Sequence, residues 1–213
     1  MKRSLIGKSI ILIGLFFFNP FHSKADLSES YFMDRWEEIE GKAEYQESEI
    51  EEFLNNNEEG NEKEYLSRAY EYLLEKGRES EVITLSTKAL KINKSFLGYF
   101  MRCYAYIDLD NKKAKSDCSN AIKLNNKSAS AYNNRGVAQD NLGSYYEAIS
   151  DFDRAINLDK ELAVAYWNIF VSKVKVNQRK SGCDDVKKSA YLGSKLALNW
   201  IESSSGSWCR NMR

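Results

Sequence analysis

The chain has 213 residues, of which 43% are hydrophobic and 29% charged, and 31 Lys and Arg balance 31 Asp and Glu. This length suffices for one domain with a continuous core, and a net charge of zero gives no overall attraction to nucleic acid. The only proline, Pro20, and the only histidine, His22, both lie before residue 26. The rest of the chain has no imidazole for a Ser-His-Asp triad, a Cys-His nucleophile or a HExxH metal site.

Residues 1–25 have the pattern of a secretory signal peptide. Lys2 and Arg3 come first, an apolar run covers residues 10–18, and Ser23 and Ala25 are small residues at alternate positions. We therefore predict cleavage after residue 25 and export to the periplasm or the medium. A retained membrane anchor is the alternative interpretation, although the apolar run is short for a bilayer span.

Residues 26–60 are predicted to form an acidic amphipathic helix. Residues 26–64 contain 15 Asp and Glu against 3 Lys and Arg, whereas residues 65–213 contain 16 against 24. Apolar residues recur three, four or seven positions apart, as on a helix that packs on a partner surface; they are Phe32, Trp36, Ile39, Ala43, Ile50 and Phe53. Three interpretations stay open: a solvated helix, a segment that folds back on the more basic repeats, and a coiled coil with a second copy.

Helical hairpins are predicted for residues 61–202. The expected helix pairs cover residues 65–76 and 79–92, 97–109 and 112–124, the two halves of 128–159, and 163–176 and 181–192. A terminal helix is expected over 194–202, before a tail over 203–213. Because no alternating apolar run bounded by turn residues is long enough for a strand, the predicted fold class is all-α.

A fixed period runs through these hairpins. Asp117 recurs as Asp151, and Tyr132 recurs as Tyr166 at the same spacing. Units that repeat at a fixed period bury their apolar faces against their neighbours, which favours a stacked solenoid over a globule with a pocket.

The third unit resembles a tetratricopeptide repeat. The residues at the family spacing are Tyr132, Gly136, Gly143, Tyr145, Ala148, Phe152, Ala155 and Leu158. The resemblance covers about residues 64–202 and is strong over 95–162, while the fourth unit is also similar to Sel1-like repeats. It implies a right-handed αα-hairpin solenoid of about four helix pairs.

The resemblance also implies a concave groove lined by the first helix of each pair. The inward positions expected from it are Phe100, Met101, Tyr104, Ile107, Asn133, Asn134, Val137, Asp140, Asn141, Trp167, Asn168 and Val171. Asn134 and Asn168 are separated by one full period, and an amide that both donates and accepts suits the backbone of an extended peptide. The alternatives are that this spacing is a coincidence and that the aromatic residues pack between units. The lysines and arginines of the family's carboxylate clamp are not found at these positions, so that activity is not expected.

The four cysteines receive a structural interpretation from the same resemblance. Cys103 and Cys118 lie on the two helices of one hairpin, and a bond between Cys183 and Cys209 would tie the tail to the fourth unit. Export makes disulfides plausible, and four buried free thiols are the alternative. The spacings include no CxxC, so neither a zinc knuckle nor a catalytic dithiol is indicated.

Two acidic pairs, Asp151 with Asp153 and Asp184 with Asp185, are weak candidates for a carboxylate dyad. On a helix, residues one or two apart point in different directions. We therefore expect solvated or capping groups at all four positions.

The sequence as a whole predicts a non-catalytic, exported scaffold that holds a protein or peptide partner in the groove. No cofactor, metal or nucleic acid is expected, and a membrane is expected only if the N-terminal segment is retained. The alternative is a structural module that self-associates through the acidic helix and has no peptide ligand.

Overall fold

A computed structural model describes residues 60–73 and 77–212, and all regular structure within these ranges is helical. The predicted signal peptide and nearly all of the acidic helix lie outside the described residues. The helices are α1 (Gly60–Leu73), α2 (Glu79–Ile92), α3 (Phe96–Tyr106), α4 (Asn111–Leu124), α5 (Ala129–Asn141), α6 (Tyr145–Leu158), α7 (Ala163–Lys175), α8 (Arg179–Tyr191), α9 (Lys195–Glu202) and α10 (Ser207–Arg210).

Consecutive helices pack on each other along the whole described array. Helices α1 to α8 form four hairpins, and each return helix also packs on the first helix of the next hairpin. Odd-numbered helices make smaller contacts with one another, α1 with α3, α3 with α5 and α5 with α7. The predicted αα-hairpin solenoid of about four pairs is therefore confirmed. No described helix is long and apolar enough to cross a membrane.

Serine side chains mark the start of several helices. Ser95, Ser128 and Ser194 each accept a hydrogen bond from the backbone N–H three residues later, over 3.1 to 3.3 Å. A side-chain oxygen at this position satisfies one of the N–H groups that a helix start leaves unpaired. Asp110 does the same for α4.

The turns that end α5, α7 and α8 need a residue with positive φ. Gly143 and Gly193 supply it with φ of 79° and 95°, a conformation that glycine adopts without steric cost. After α7 the position is taken by Asn177, with φ of 64°, and asparagine is among the residues that tolerate this region best.

The third and fourth hairpins place their large and small residues on opposite helices. In the third, Gly136 on α5 faces the fully buried ring of Phe152 on α6. In the fourth, the large residue is Phe170 on α7, and the small one is Gly182 on α8. Both arrangements let two helices approach closely around one aromatic ring, which explains why the fourth unit departs from the sequence pattern of the third.

The C-terminal segment closes the stack with an aromatic cluster. Trp200 on α9 lies 4.6 Å from Phe170 and 5.9 Å from Trp208, measured between ring centroids. The terminal helix was predicted over 194–202, and α9 occupies 195–202. The short α10 was not predicted, and it carries Cys209, which has no exposed surface.

Candidate functional site

Three asparagines on α5 and α7 form a chain of amide groups, which we call the amide chain. Asn168 Nδ2 donates to Asn133 Oδ1 over 2.9 Å, and Asn133 Nδ2 donates to Asn134 Oδ1 over 3.5 Å. All three residues are buried, with exposed fractions of 6% for Asn133, 5% for Asn134 and 3% for Asn168. The chain joins the first helix of the third hairpin to that of the fourth.

The two ends of the amide chain have unused hydrogen-bonding capacity. Asn134 Nδ2 and Asn168 Oδ1 are buried atoms with no hydrogen-bond partner among the described residues. Leaving a buried donor or acceptor unsatisfied costs about 1–3 kcal/mol, so such atoms need an explanation. One end offers a donor and the other an acceptor, which are the groups needed to meet a backbone C=O and a backbone N–H.

A second polar group lies further along the same two helices. Asp140 on α5 accepts from Ser172 Oγ over 2.6 Å and also pairs with Lys175 Nζ. Asn141, which is exposed, donates to Asn111 Oδ1 over 3.0 Å and so links α5 to the start of α4. The sequence predicts Asp140 and Asn141 as groove residues, but it does not predict Ser172, Lys175 or Asn111. A contact between side chains of different hairpins depends on how far each side chain extends. It therefore produces no regular spacing in the sequence.

The apolar residues expected in the groove divide between separate clusters. Phe100 and Met101 belong to the core of the first two hairpins, where Phe100 stacks on Phe96 with centroids 5.6 Å apart. Ile107 and Val137 pack in a third-hairpin cluster around Phe152. Tyr104 is half-buried. These positions therefore serve packing between helices, and a ligand contact by any of them stays a prediction.

Trp167 lies among aromatic side chains of the C-terminal cluster. Its ring is 5.4 Å from Phe170 and 6.4 Å from Trp200, measured between centroids, and Val171 belongs to the same cluster. The indole therefore helps to hold α9 on α7. The structure thus brings Asn133, Asn134 and Asn168 together. Trp167 precedes Asn168 in the sequence, but its ring packs in the C-terminal aromatic cluster.

Ion pairs that sequence analysis did not predict join the helices within the hairpins. Arg102 binds Asp117, Arg135 binds Asp151, and Lys173 binds Asp185, each at 2.7 Å. The expectation of solvated or capping groups is wrong for Asp151, which is 6% exposed, and for Asp185, which is half-buried; Asp153 and Asp184 are exposed. Because adjacent helix positions point in different directions, one acid of each pair turns inward. The sequence does contain a signal for these paired acids, since Asp117, Asp151 and Asp185 follow one another at the repeat period.

These partners shift the titration of the groups that they meet. Hydrogen bonds donated by Arg102 to Asp117 and by Arg135 to Asp151 raise the pKa of the two guanidinium groups. Burial raises the pKa of the Asp185 carboxyl, and the hydrogen bond from Lys173 opposes that shift.

Both disulfides expected from the sequence are present. Cys103 is bonded to Cys118 across the second hairpin, and Cys183 on α8 is bonded to Cys209 on α10. Within the described ranges no cysteine is free, and no group of three His, Cys, Asp or Glu side chains is placed to hold a metal ion.

The arrangement defines a protein class, the αα-hairpin solenoids that present one face of stacked helices. Residues 129–162 match the family model of the tetratricopeptide repeat, which agrees with the spacing in the third unit and the packing of its neighbours. The third hairpin is therefore a tetratricopeptide repeat, and the described hairpins on either side of it share its αα-hairpin fold.

Solved structures with the same fold include three that are instructive. MamA is 22% identical over 70% of this chain and 87% of its own, with a TM-score of 0.57. YrrB, described as a TPR protein with an unusual peptide-binding site, is 21% identical over 75% and 87%, with a TM-score of 0.58. The first TPR of Spaghetti (RPAP3), bound to the HSP90 peptide SRMEEVD, is 24% identical over 55% and 94%, with a TM-score of 0.52. These similarities establish the fold, and no curated protein sequence matches the chain.

Proposed function

We propose that the protein is an exported, non-catalytic scaffold that binds an extended peptide segment of a partner protein along α5 and α7. The observation that carries the proposal is the amide chain, whose ends leave Asn134 Nδ2 and Asn168 Oδ1 without a partner among the described residues. A peptide backbone supplies one acceptor and one donor per residue whatever its side chains are. The amide chain is therefore suited to holding a segment of main chain.

The related folds support this assignment of a binding role. YrrB is described with a peptide-binding site, and the first TPR of Spaghetti is bound to an HSP90 peptide. The export part of the proposal depends on the signal-peptide pattern of residues 1–25. Asp140 with Lys175 lies further along the same two helices and supplies charged groups, which favours a peptide with polar side chains there.

The test is peptide binding by the chain that begins at residue 26. Partner segments are first captured by crosslinking in the native host and made as synthetic peptides, and their dissociation constants are measured by calorimetry. The variant Asn134→Ala with Asn168→Ala removes both unsatisfied atoms. We expect it to weaken binding by roughly 10- to 100-fold, because each lost hydrogen bond contributes about 1 kcal/mol.

A matched control removes two amides elsewhere. Asn126→Ala with Asn157→Ala changes exposed asparagines on the loop after α4 and on α6, and we expect the dissociation constant to stay within a factor of two of the parent's. Circular dichroism verifies that both double variants are folded. Equal binding by the parent and the Asn134, Asn168 variant would refute the proposed site.

The alternative of self-association through the acidic helix depends on residues outside the described ranges. Light scattering at several protein concentrations separates the two functions. A monomer at all concentrations agrees with the proposed scaffold, whereas a concentration-dependent dimer that binds no peptide would replace it.

A further inference from the structure

The groove side of α5 and α7 is shielded along most of both helices. In α7 the six consecutive residues from Trp167 to Ser172 are all buried, and in α5 seven of the eight residues from Asn133 to Asp140 are buried. Each residue of a helix advances by about 100°, so runs of this length go all the way round. The strong packing of these helices is on return helices, and α5 and α7 touch each other only lightly. Packing on return helices therefore explains why the sides of α5 and α7 that face those helices are buried. It does not explain the burial of the groove side.

The shielded side contains polar atoms that need partners. Asn134 Nδ2 and Asn168 Oδ1 have none among the described residues. A helical segment that covers the groove would meet these atoms with polar side chains, because its own backbone N–H and C=O groups bond to each other within the helix. A purely apolar cover would leave these atoms unsatisfied at a cost of about 1–3 kcal/mol each.

The chain itself contains a segment suited to the groove. Residues 26–59 carry 13 Asp and Glu against 2 Lys and Arg, while residues 65–213 have an excess of Lys and Arg, 24 against 16. The same segment has the apolar stripe that includes Phe32, Trp36 and Ile39, which needs a partner surface. The opposite net charge attracts the segment to the repeats as a whole, and the apolar stripe needs a surface on them.

Length and connection are also adequate. Helices pack about 8–10 Å apart, so the groove of four hairpins extends for roughly 40 Å, and residues 26–59 would reach about 50 Å as a helix. The segment joins α1 directly at Gly60. A directly linked ligand acts at an effective concentration in the millimolar range, so even a weak contact is populated.

We infer that residues 26–59 occupy the groove of their own chain and compete with the peptide partner. Occupation follows from shielding, charge and length, whereas competition also rests on the proposed function. A partner must displace the segment, which lowers its apparent affinity by the fraction of chains with an open groove.

Photo-crosslinking in the chain from residue 26 to 213 tests the occupation directly. Asn141→p-benzoylphenylalanine places the probe at an exposed position at the end of α5, and Asn157→p-benzoylphenylalanine is the control on exposed α6. We expect the first probe to give crosslinks within one chain to residues 26–59, identified by mass spectrometry at monomer mass, and the control to give none. Crosslinks only between two chains, or none to residues 26–59, would overturn the inference.

Competition is tested by a variant of the segment in the same chain. Trp36→Asp with Ile39→Asp breaks the apolar stripe, and we expect it to abolish the Asn141 crosslink and to tighten binding of the captured peptide about 10-fold. Glu38→Asp is the control, since it keeps charge and stripe. If no peptide binds either protein, the proposed function fails, while the crosslink still reports occupation. An unchanged crosslink in the stripe variant would refute the contact that we infer.

Discussion

Arg135 on α5 and Asp151 on α6 join the two helices of the third hairpin through two parallel hydrogen bonds. Arg135 Nε and one terminal nitrogen each lie 2.7 Å from a different oxygen of the carboxylate. Arg102 and Asp117 repeat the arrangement in the second hairpin at 2.7 and 2.9 Å. In the fourth hairpin Ile169 replaces the arginine, and Lys173, one turn later, binds Asp185 instead. The aspartate therefore occupies the same repeat position in all three hairpins, whereas the position of its cationic partner changes.

The Arg135–Asp151 pair should show strong coupling in a double-mutant cycle. Asp151→Ala leaves a half-buried guanidinium without its carboxylate, and we expect it to lower the free energy of unfolding by about 2 kcal/mol. Replacing both residues by leucine should cost less than the two single changes together, because no charge is then left unpaired. Urea unfolding of the four proteins measures the coupling, and additive effects would show that the pair contributes no specific interaction.

The Asp185 carboxyl should titrate above its ordinary value of about 3.9, because burial disfavours the charged form. Its raised pKa means that the folded chain holds this proton more tightly than the unfolded chain does. The stabilisation of the fold by this proton is complete at a pH below the pKa of Asp185 in the unfolded chain. It is lost as the pH rises through the pKa in the folded chain. We expect Lys173→Met to raise the Asp185 pKa further, since the opposing hydrogen bond is removed. Carbon-detected NMR titration measures both values, and a lower pKa in the variant would contradict the assigned cause.

Gly136 is predicted to tolerate no side chain while Phe152 is present. A Cβ at this position would lie 2.6, 2.8 and 3.0 Å from three atoms of the Phe152 ring, and the ring is fully buried. We expect Gly136→Ala to lower the free energy of unfolding by about 1–3 kcal/mol and Phe152→Leu in the same chain to recover part of that loss. Gly182→Ala is the control: its nearest neighbour would be 3.3 Å away, so we expect a change within about 1 kcal/mol, helped by the helix propensity of alanine.

The repeat period was enough to predict the helices, because each unit must bury its apolar stripe on the next. Helix ends were less predictable: α3 stops at Tyr106 rather than at residue 109, since the turn that follows leads into Asp110, the cap of α4. The amide chain shows a different limit. Sequence spacing paired Asn134 with Asn168, whereas the structure bonds Asn168 to Asn133, 35 residues away. Such a bond is decided by the tilt of neighbouring helices, which the period alone does not specify.

The members of the amide chain should differ in their effect on stability. Asn133→Ala removes the acceptor of a buried 2.9 Å hydrogen bond and leaves Asn168 Nδ2 unpaired, so we expect a loss of about 1–2 kcal/mol. Asn134→Ala removes a donor without a partner among the described residues and only a 3.5 Å contact, so we expect a change within about 0.5 kcal/mol. Thermal and urea unfolding compare the two. A large loss in Asn134→Ala would assign this residue to folding rather than to binding.

The two disulfides should stabilise different parts of the molecule. Cys103–Cys118 closes a loop of 15 residues within one hairpin, for which chain entropy predicts about 3 kcal/mol of stabilisation of the whole fold.

Cys183–Cys209 closes 26 residues and holds α10, with Trp208, against Trp200. We expect Cys183→Ser with Cys209→Ser to shift tryptophan emission to longer wavelength while the far-UV spectrum is kept, because the C-terminal aromatic cluster opens before the hairpins do. Cys103→Ser with Cys118→Ser should lower the urea midpoint and leave the emission of the folded protein unchanged. Two outcomes would contradict this division of roles. One is a mass of the unreduced protein that corresponds to four free thiols. The other is that the two double variants have the same tryptophan emission and the same urea midpoint.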